Sequence, residues 1–286
     1  MNSENLKTFL AIVETRNFSR AAQQLIVTQS TVSKRIAELE AETGHQLFVR
    51  DRTGVRLTRE GSAFLEYAQQ ILNLQDKAME QMSRTSQYTG YLVVGTAYAY
   101  YQLYLCDLLK SFLPEHPEIS IRLRSGHTGM LINELRRAKM DVVFTHHPFQ
   151  HPELVCKCLG ADEVALVTDA CNVEYAEGVH YSEVKNLPMI HSNFLYANTF
   201  NWLYPRNQQF QMEVDVAADA LPLLRGSNWY TFLAKKTVIP LLEQSVLREI
   251  PILGGEIPPL QHYMIYRKDA IGQPAMKALL SEFSDQ

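Results

Sequence analysis

Six residues near the start of the chain carry groups that read or bind polyanions. Gln29, Ser30, Thr31 and Ser33 are uncharged donors and acceptors, and Lys34 and Arg35 follow directly behind them. Val32, Ile36 and Leu39 recur at helical spacing in the same stretch and so share one face, the core face. At about 100° per residue, Ser30, Ser33, Lys34 and Ala37 fall on the opposite face, flanked by Gln29 and Arg35. Such a helix projects hydroxyls and amides from its first turn, adds two cations for phosphates, and approaches closely at an alanine. That is the chemistry of a helix reading base edges in a major groove. A solvated, serine-rich helix face has the same composition, and the helix alone does not separate the two readings.

A second basic group lies just downstream. In LFVRDRTGVRLTREG (47–61) two apolar stretches flank Thr53-Gly54, a hairpin signal, and Arg50, Arg52 and Arg56 surround the turn. A basic hairpin beside such a helix reaches flanking phosphates or the minor groove.

The elements that must hold these residues are legible around them. Leu6, Phe9, Leu10 and Val13 predict a first amphipathic helix. Ser19 is placed to cap a short second helix through Ala21, Ala22 and Leu25, and Thr28 to cap the third, which Gly44 ends. The two alanines leave room for helices crossing at a steep angle. Three helices and a basic hairpin make a winged helix-turn-helix over residues 1–60. This segment contains nine Lys and Arg against seven Asp and Glu, whereas the whole chain of 286 residues has a net charge of −4. A mildly basic head on an acidic body is consistent with a polyanionic partner.

The segment LKTFLAIVETRNFSRAAQQLIVTQSTVSKRIAELEAETGHQLFVRDRTGVRLTREG resembles, without gaps, the N-terminal domain of LysR-type transcriptional regulators. The features that carry the likeness are Phe18-Ser19-Arg20-Ala21-Ala22, Leu25, the run Thr28 to Ser33, Ile36, Leu39-Glu40, Gly44, Leu47-Phe48, Arg50, Leu57-Thr58 and Gly61. It departs at Ser30, where the family commonly has proline; a serine is acceptable in a first turn and adds a phosphate donor. The resemblance implies binding to a pseudo-palindromic site on double-stranded DNA, self-association as a homodimer or homotetramer, and RNA polymerase as a partner when activating.

From Thr58 a polar-capped helix runs toward Ser86. Phe64, Ala68, Ile71, Gln75, Ala78 and Met82 repeat along it at steps of three and four, with Leu65, Leu72 and Met79 alongside. The stripe requires a partner, either its own copy in a second chain or the body of the protein; in the resembled family this helix is the dimerisation linker. SRTSQYTG (83–90) reads as a hinge, so the linker region spans 58–89.

Beyond it, YLVVGT, ISIRLRSG and DVVFTH read as strands alternating with helical LYLCDLLKSFL and MLINELRRA, a βαβ pattern with a parallel sheet. A second set starts at DEVALVTD (162–169) and continues through LPMIHS, FQMEVDVA and ADALPLLRG; PPLQHYMIYRKD (258–269) returns as a strand. The resemblance implies a two-subdomain α/β effector domain over 90–286, similar to periplasmic solute-binding proteins. Subdomain one is 90–160 plus 265–286, and subdomain two is 161–264.

Ligands in such folds bind beyond the carboxyl ends of strands, against helix N-termini. Those ends point to Thr96, Ala97 and Tyr98; to Ser125, Gly126, His127 and Thr128; and to Thr145 and His146. Subdomain two would add Ser192, Asn193, Ser227 and Asn228. The family usually writes this last turn with two glycines; here Asn228 stands for the second, and bulky Trp229 and Tyr230 follow. Hydroxyls and helix dipoles favour a small anionic metabolite. No cofactor is implied.

HHPFQHPELVCKC (146–158) gathers His146, His147, His151, Cys156 and Cys158, but at no standard zinc spacing. A metal- or thiol-responsive regulator of the same fold is therefore an alternative, as is a solute-binding or enzymatic domain joined to a nucleic-acid module. Against an enzyme, the chain has no G-x-S-x-G, P-loop or G-x-G-x-x-G sequence. The N-terminus lacks the basic start and apolar centre of a signal peptide, and no apolar run spans a bilayer, so a cytoplasmic location is expected.

Overall fold

The computed structural model describes residues 1–51, 54–83, 88–192, 203–204 and 209–283. The chain divides into two compact units, Met1–Gln87 with Asn133–Met140, and Tyr88–Ile132 with Asp141–Gln286.

The first unit opens with α1 (Ser3–Thr15), α2 (Phe18–Leu25) and α3 (Gln29–Thr43). Thr28 caps α3, its Oγ1 accepting from the N–H of Thr31 at 3.2 Å, and Gly44 ends it at φ 70°. The cap of α2 is Asn17, not Ser19. The Asn17 carboxamide oxygen accepts from the N–H groups of Ser19 (2.8 Å) and Arg20 (3.0 Å), so the helix starts two residues earlier than expected and Ser19 sits inside it. Val32, Ile36 and Leu39 are buried with Leu6, Phe9, Ile12, Ala21 and Ala22. Full burial of each large aliphatic group in that set contributes roughly 1.5–3 kcal/mol.

β1 (Phe48–Asp51) and β2 (Gly54–Leu57) form the expected antiparallel wing, with Phe48 opposite Leu57 and Asp51 opposite Gly54. Its base is tied to α3 by Glu40, whose Oε1 accepts from the N–H groups of Leu47 (2.7 Å) and Phe48 (3.3 Å). α4 (Arg59–Ser83) follows, its first turn capped by Thr58, whose Oγ1 accepts from Gly61 N–H at 2.8 Å. Gly61 lies so close to the Leu47 carbonyl that a Cβ there would sit 2.1 Å from the oxygen, so only glycine fits.

The apolar stripe on α4 divides into two. Phe64 meets Phe9 edge-on at 5.3 Å, and Ala68 and Leu72 are buried in the same core. These residues serve the fold of the first unit: Ala68 is fully buried there, and Phe64 is half-buried. The exposed apolar side chains run instead through Tyr67, Ile71, Leu74 and Met79, with Gln75 and Ala78 also exposed. The helix continues through Met82, whose side chain lies outside the described set.

The second unit contains β3 (Gly90–Ala97), the short α5 (Tyr98–Tyr100), a π-helical turn (Tyr101–Leu105) and α6 (Cys106–Glu115). Then come β4 (Ile119–Gly126), α7 (Thr128–Arg136), whose residues from Asn133 onward group with the first unit, β5 (Val142–Thr145) and β6 (Leu154–Asp162). After these lie β7 (Val164–Asp169), β8 (Val179–His180), β9 (Ile190–Ser192), β10 (Met212–Val214), α8 (Ala220–Leu224), β11 (Tyr230–Ala234) and α9 (Lys235–Glu243). The chain closes with β12 (Leu247–Glu249), β13 (Ile252–Leu253), β14 (Leu260–Arg267) and α10 (Pro274–Ser281).

The first sheet has the order β4-β3-β5-β14-β6. Its βαβ half is parallel, as the alternation predicts, but β14 runs antiparallel to both β5 and β6. Leu92, Val94, Phe112, Phe144, Met264 and Leu279 fill the core that it shares with α6 and α10. In the second sheet β7 is central and antiparallel to β11 and β12, while β9 and β10 pair in parallel. The expected boundaries at 160/161 and 264/265 cut through continuous strands: β6 and β14 stay paired in the first sheet as far as Asp162 opposite Leu260. The chain therefore crosses between subdomains about two residues later on the way out and about five earlier on the return.

Candidate functional site

Capping and the buried core face leave the first turn of α3 in solvent. Ser19, Thr28, Gln29 and Ser30 are exposed, and Thr31 and Ser33 are half-buried. Ser19 Oγ donates to Gln29 Oε1 at 3.0 Å, which joins the first turn of α2 to the first turn of α3. Thr28 Oγ1 lies 2.9 Å from Ser30 Oγ and 2.8 Å from Thr31 Oγ1. The cluster is thus a pre-ordered set of rotatable hydroxyls. Lys34 is 78% exposed and approaches Glu38 at only 4.0 Å, a contact that water screens heavily.

Arg35 has a different partner from the one its neighbours suggested. Its guanidinium pairs with Glu4 at 3.1 Å and donates to Thr8 Oγ1 at 3.3 Å, fastening α3 to α1. On the wing, Arg56 is exposed in β2 and Arg50 lies in β1 opposite Val55; Arg52 lies outside the described residues. Sequence reasoning missed Ile26. It is 92% exposed in the turn between α2 and α3 and holds φ 56°, a left-handed conformation that is strained for a β-branched side chain. Its signal was local: an apolar residue beyond the last helical position of α2.

In the second unit the parallel strands β3, β4 and β5 deliver their carboxyl ends to one cleft of about 420 Å³. Ala97 and Tyr98 line it from β3 and α5, Gly126, His127 and Thr128 from the β4–α7 junction, and His146 from the end of β5. The other predicted residues stand apart. Thr96 is buried behind the wall, and its Oγ1 donates to the Ala97 carbonyl at 3.1 Å. Thr145 is likewise buried, with its hydroxyl 2.7 Å from that of Thr128 and accepting from the N–H of His147. Ser125 is exposed on β4 outside the lining.

The second wall is Asp215, Val216 and Ala217, which directly follow β10, and not the residues expected there. Ser192 pairs with Val214 one strand further in and is fully buried. Ser227 serves its own turn, donating to the Leu224 carbonyl and accepting from Trp229 N–H. Asp169 fastens the same turn through Gly226 N–H at 2.9 Å, and that bond, with one from Cys171, holds the Asp169 carboxyl below its usual range. This turn, Asn228 included, precedes the amino end of β11 and lines no part of the cleft. Asn193 lies outside the described residues. Gly129 and His147 complete the lining.

His146 is 5% exposed. Its Nδ1 stands 3.3 Å from the Gln261 carbonyl, which can only accept, so the ring proton is on Nδ1 and Nε2 carries a lone pair. Burial, with the nearby His262 imidazole adding to it, pushes the His146 pKa down to about 3, and burial lowers that of His147. Both imidazoles are neutral at pH 7. Behind them Tyr100, Tyr104 and His262 pack ring against ring, with His262 Nε2 3.2 Å from Asp162 and Lys236 above the Tyr104 ring at 4.5 Å. Among the described residues no three His, Cys, Asp or Glu side chains converge as a metal site would require. Cys156 is half-buried and Cys158 exposed, both on β6. No described helix is long and apolar enough to cross a membrane.

Residues 3–62 match the family model described as the bacterial regulatory helix-turn-helix protein of the lysR family, and residues 85–286 match the LysR substrate binding domain. Among curated relatives, the HTH-type transcriptional regulator YusT of Bacillus subtilis is 32% identical over 179 residues, covering 63% of this chain and 61% of that one. HdfR of Yersinia pestis is 35% identical over 160 residues, covering 56% and 54%. The matched part thus spans under two thirds of those relatives' length. Among solved structures, a full-length OxyR variant from Pseudomonas aeruginosa aligns over 99% of this chain and 94% of its own at TM-score 0.63 and 19% identity. Full-length CbnR, complexed with its target DNA, aligns over 100% and 99% at TM-score 0.61 and 20% identity. At such identities the two structures show a common fold. With a family model matched to each unit and a fold shared end to end, the chain belongs to the LysR family of bacterial regulatory helix-turn-helix proteins.

Proposed function

We propose that this protein is a DNA-binding transcriptional regulator whose activity is set by a small metabolite bound in the cleft of its second unit. The observation that carries the reading is the exposed first turn of α3 beside a basic wing, in a chain that also holds a built cleft at three parallel strand ends. In this reading Gln29, Ser30 and Ser33 meet base edges, while Lys34 and the arginines of the wing meet phosphates. Two copies, paired through the exposed side of α4, present two such helices to a pseudo-palindromic site, and RNA polymerase is the further partner when the protein activates. It acts as a binding protein, not as an enzyme, and works in the cytoplasm. The relatives' names and the DNA in the CbnR structure support this reading.

The test is selection of genomic fragments by the purified chain, followed by titration of the selected site at several salt concentrations. Gln29→Ala and Ser33→Ala are expected to weaken the selected site by about 1–3 kcal/mol and random DNA far less. Lys34→Ala is expected to weaken both and to flatten the salt dependence. Unchanged specific affinity in all three variants overturns the assignment of α3.

A further inference from the structure

Ile26 breaks two local rules at once. It ends α2 at φ 56°, a left-handed conformation that asparagine or glycine adopts readily and a β-branched residue does not. Its side chain is also 92% exposed, the highest value of any large apolar side chain among the described residues. Leu25 and Val27, on either side of it, both pack against the core of the first unit, and Ile26 alone is turned out. The turn itself is well bonded. Ile26 N–H donates to the Gln23 carbonyl at 3.2 Å and Val27 N–H to the Ala22 carbonyl at 3.0 Å, so the side chain is presented on a fixed backbone. A strained residue that packs on almost nothing in its own fold is the mark of a functional contact, one completed by a partner.

The position of Ile26 says which partner. It stands two residues before Thr28, the cap of α3, so the two Cα atoms lie within about 8 Å of each other. Thr28, Gln29 and Ser30, the nearest side chains on α3, are exposed with it. The major groove is about 12 Å wide, so a helix start inserted there carries a residue this close over the groove or its rim. An aliphatic side chain bonds neither a phosphate nor a base donor or acceptor. The one apolar group on the base edges of that groove is the C5-methyl of thymine. We propose that Ile26 is a specificity-determining residue that covers one thymine methyl group in each half-site. The inference rests on the reading of α3 as the helix in the groove, and it adds an apolar contact to the polar ones assigned to Gln29, Ser30 and Ser33.

The experiment titrates the full chain with the duplex selected from genomic fragments, and with copies in which one thymine at a time is replaced by deoxyuridine. That replacement removes the C5-methyl and leaves base pairing intact. For the wild type, one replacement in each half-site is expected to weaken binding roughly fourfold, the factor for burial of a single methyl group. Ile26→Asn and Ile26→Gly are expected to bind the unmodified duplex more weakly by at least that factor, to lose the response to that replacement, and to bind random DNA as the wild type does. Melting temperatures taken alongside show that both variants fold. A wild type indifferent to every thymine replacement overturns the proposal. So do variants that keep the wild-type response, even if they bind more weakly, since their loss then comes from the sugar-phosphate rim. If both Ile26 variants bind the selected duplex unchanged while Gln29→Ala weakens it, Ile26 does not touch DNA and the reading of α3 stands. If Gln29→Ala, Ser33→Ala and Lys34→Ala also leave the affinity unchanged, or selection yields no site, the reading of α3 falls and the proposal with it.

Discussion

Truncating neighbouring leucines on α4 separates folding from assembly. Leu72 is 9% exposed and packed in the core of the first unit, whereas Leu74, two positions on, is 65% exposed, and Ile71 is 37% exposed. At roughly 2 kcal/mol for complete burial of such a side chain, a second copy covering the rest of Leu74 gains about 1.3 kcal/mol per protomer and about 2.6 kcal/mol per symmetric pair. Leu74→Ala is thus expected to weaken the dimer roughly 80-fold, and Ile71→Ala, with about 1.5 kcal/mol per pair at stake, roughly 12-fold. Leu72→Ala removes core packing and is expected to cost about 2–5 kcal/mol of folding stability. Sedimentation equilibrium over a range of concentrations gives the association constant, and urea unfolding of the dissociated chain gives the stability. A dimer that Leu74→Ala leaves intact, or that Leu72→Ala loosens more than Leu74→Ala does, refutes the division of this helix into an inward and an outward side.

Three further outcomes follow from features of the site. Arg35→Ala is expected to lower the urea midpoint by loosening α3 from α1, with a smaller effect on DNA affinity than Lys34→Ala; the opposite order in the two assays would return Arg35 to the nucleic-acid face. Ile26→Asn relieves a left-handed β-branched residue and is expected to raise stability by up to ~1 kcal/mol, read as a higher melting temperature. His146 has a folded pKa of about 3, below the ~6.5 of an unfolded chain, so the folded form binds fewer protons between those values. Its stabilising contribution is complete above about pH 6.5 and declines as pH falls toward 3, by up to ~1.4 kcal/mol per unit; a melting-temperature profile from pH 7 to 4 is expected to flatten in His146→Gln, and an unchanged slope counts against the buried neutral ring.

What could be read in advance followed the range of the interactions. The core face of α3, its threonine cap and its closing glycine are encoded within a few residues of where they act. The choice between Asn17 and Ser19 as a cap was also local, but both residue types cap helices, and only the position of the receiving N–H groups separates them. The first wall of the cleft was legible because parallel strands joined by helices all end on one side. The second wall was not: alternation marks FQMEVDVA as a strand, and hence Asp215 as its end, but strand direction is set by pairing across the sheet. Ser227 and Asn228 precede β11, at its amino end, and fall outside the cleft. The inward half of the α4 stripe was hidden for a similar reason, since Phe64 meets Phe9 more than fifty positions away.

Gly61 gives the protein a pivot. The 25 residues of α4 make a strut about 37 Å long, seated by a glycine with no space for even a methyl group against Leu47. A strut of that length turns a tilt of ~5° at its seat into a displacement of ~3 Å at its tip. If two copies pair along their outward sides, as proposed above, the seat angle sets the gauge between their α3 helices, and the two half-sites of a duplex lie about 34–36 Å apart per helical turn. In that proposed pair, selection at position 61 acts on the spacing between the two α3 helices through a residue packed against the Leu47 carbonyl.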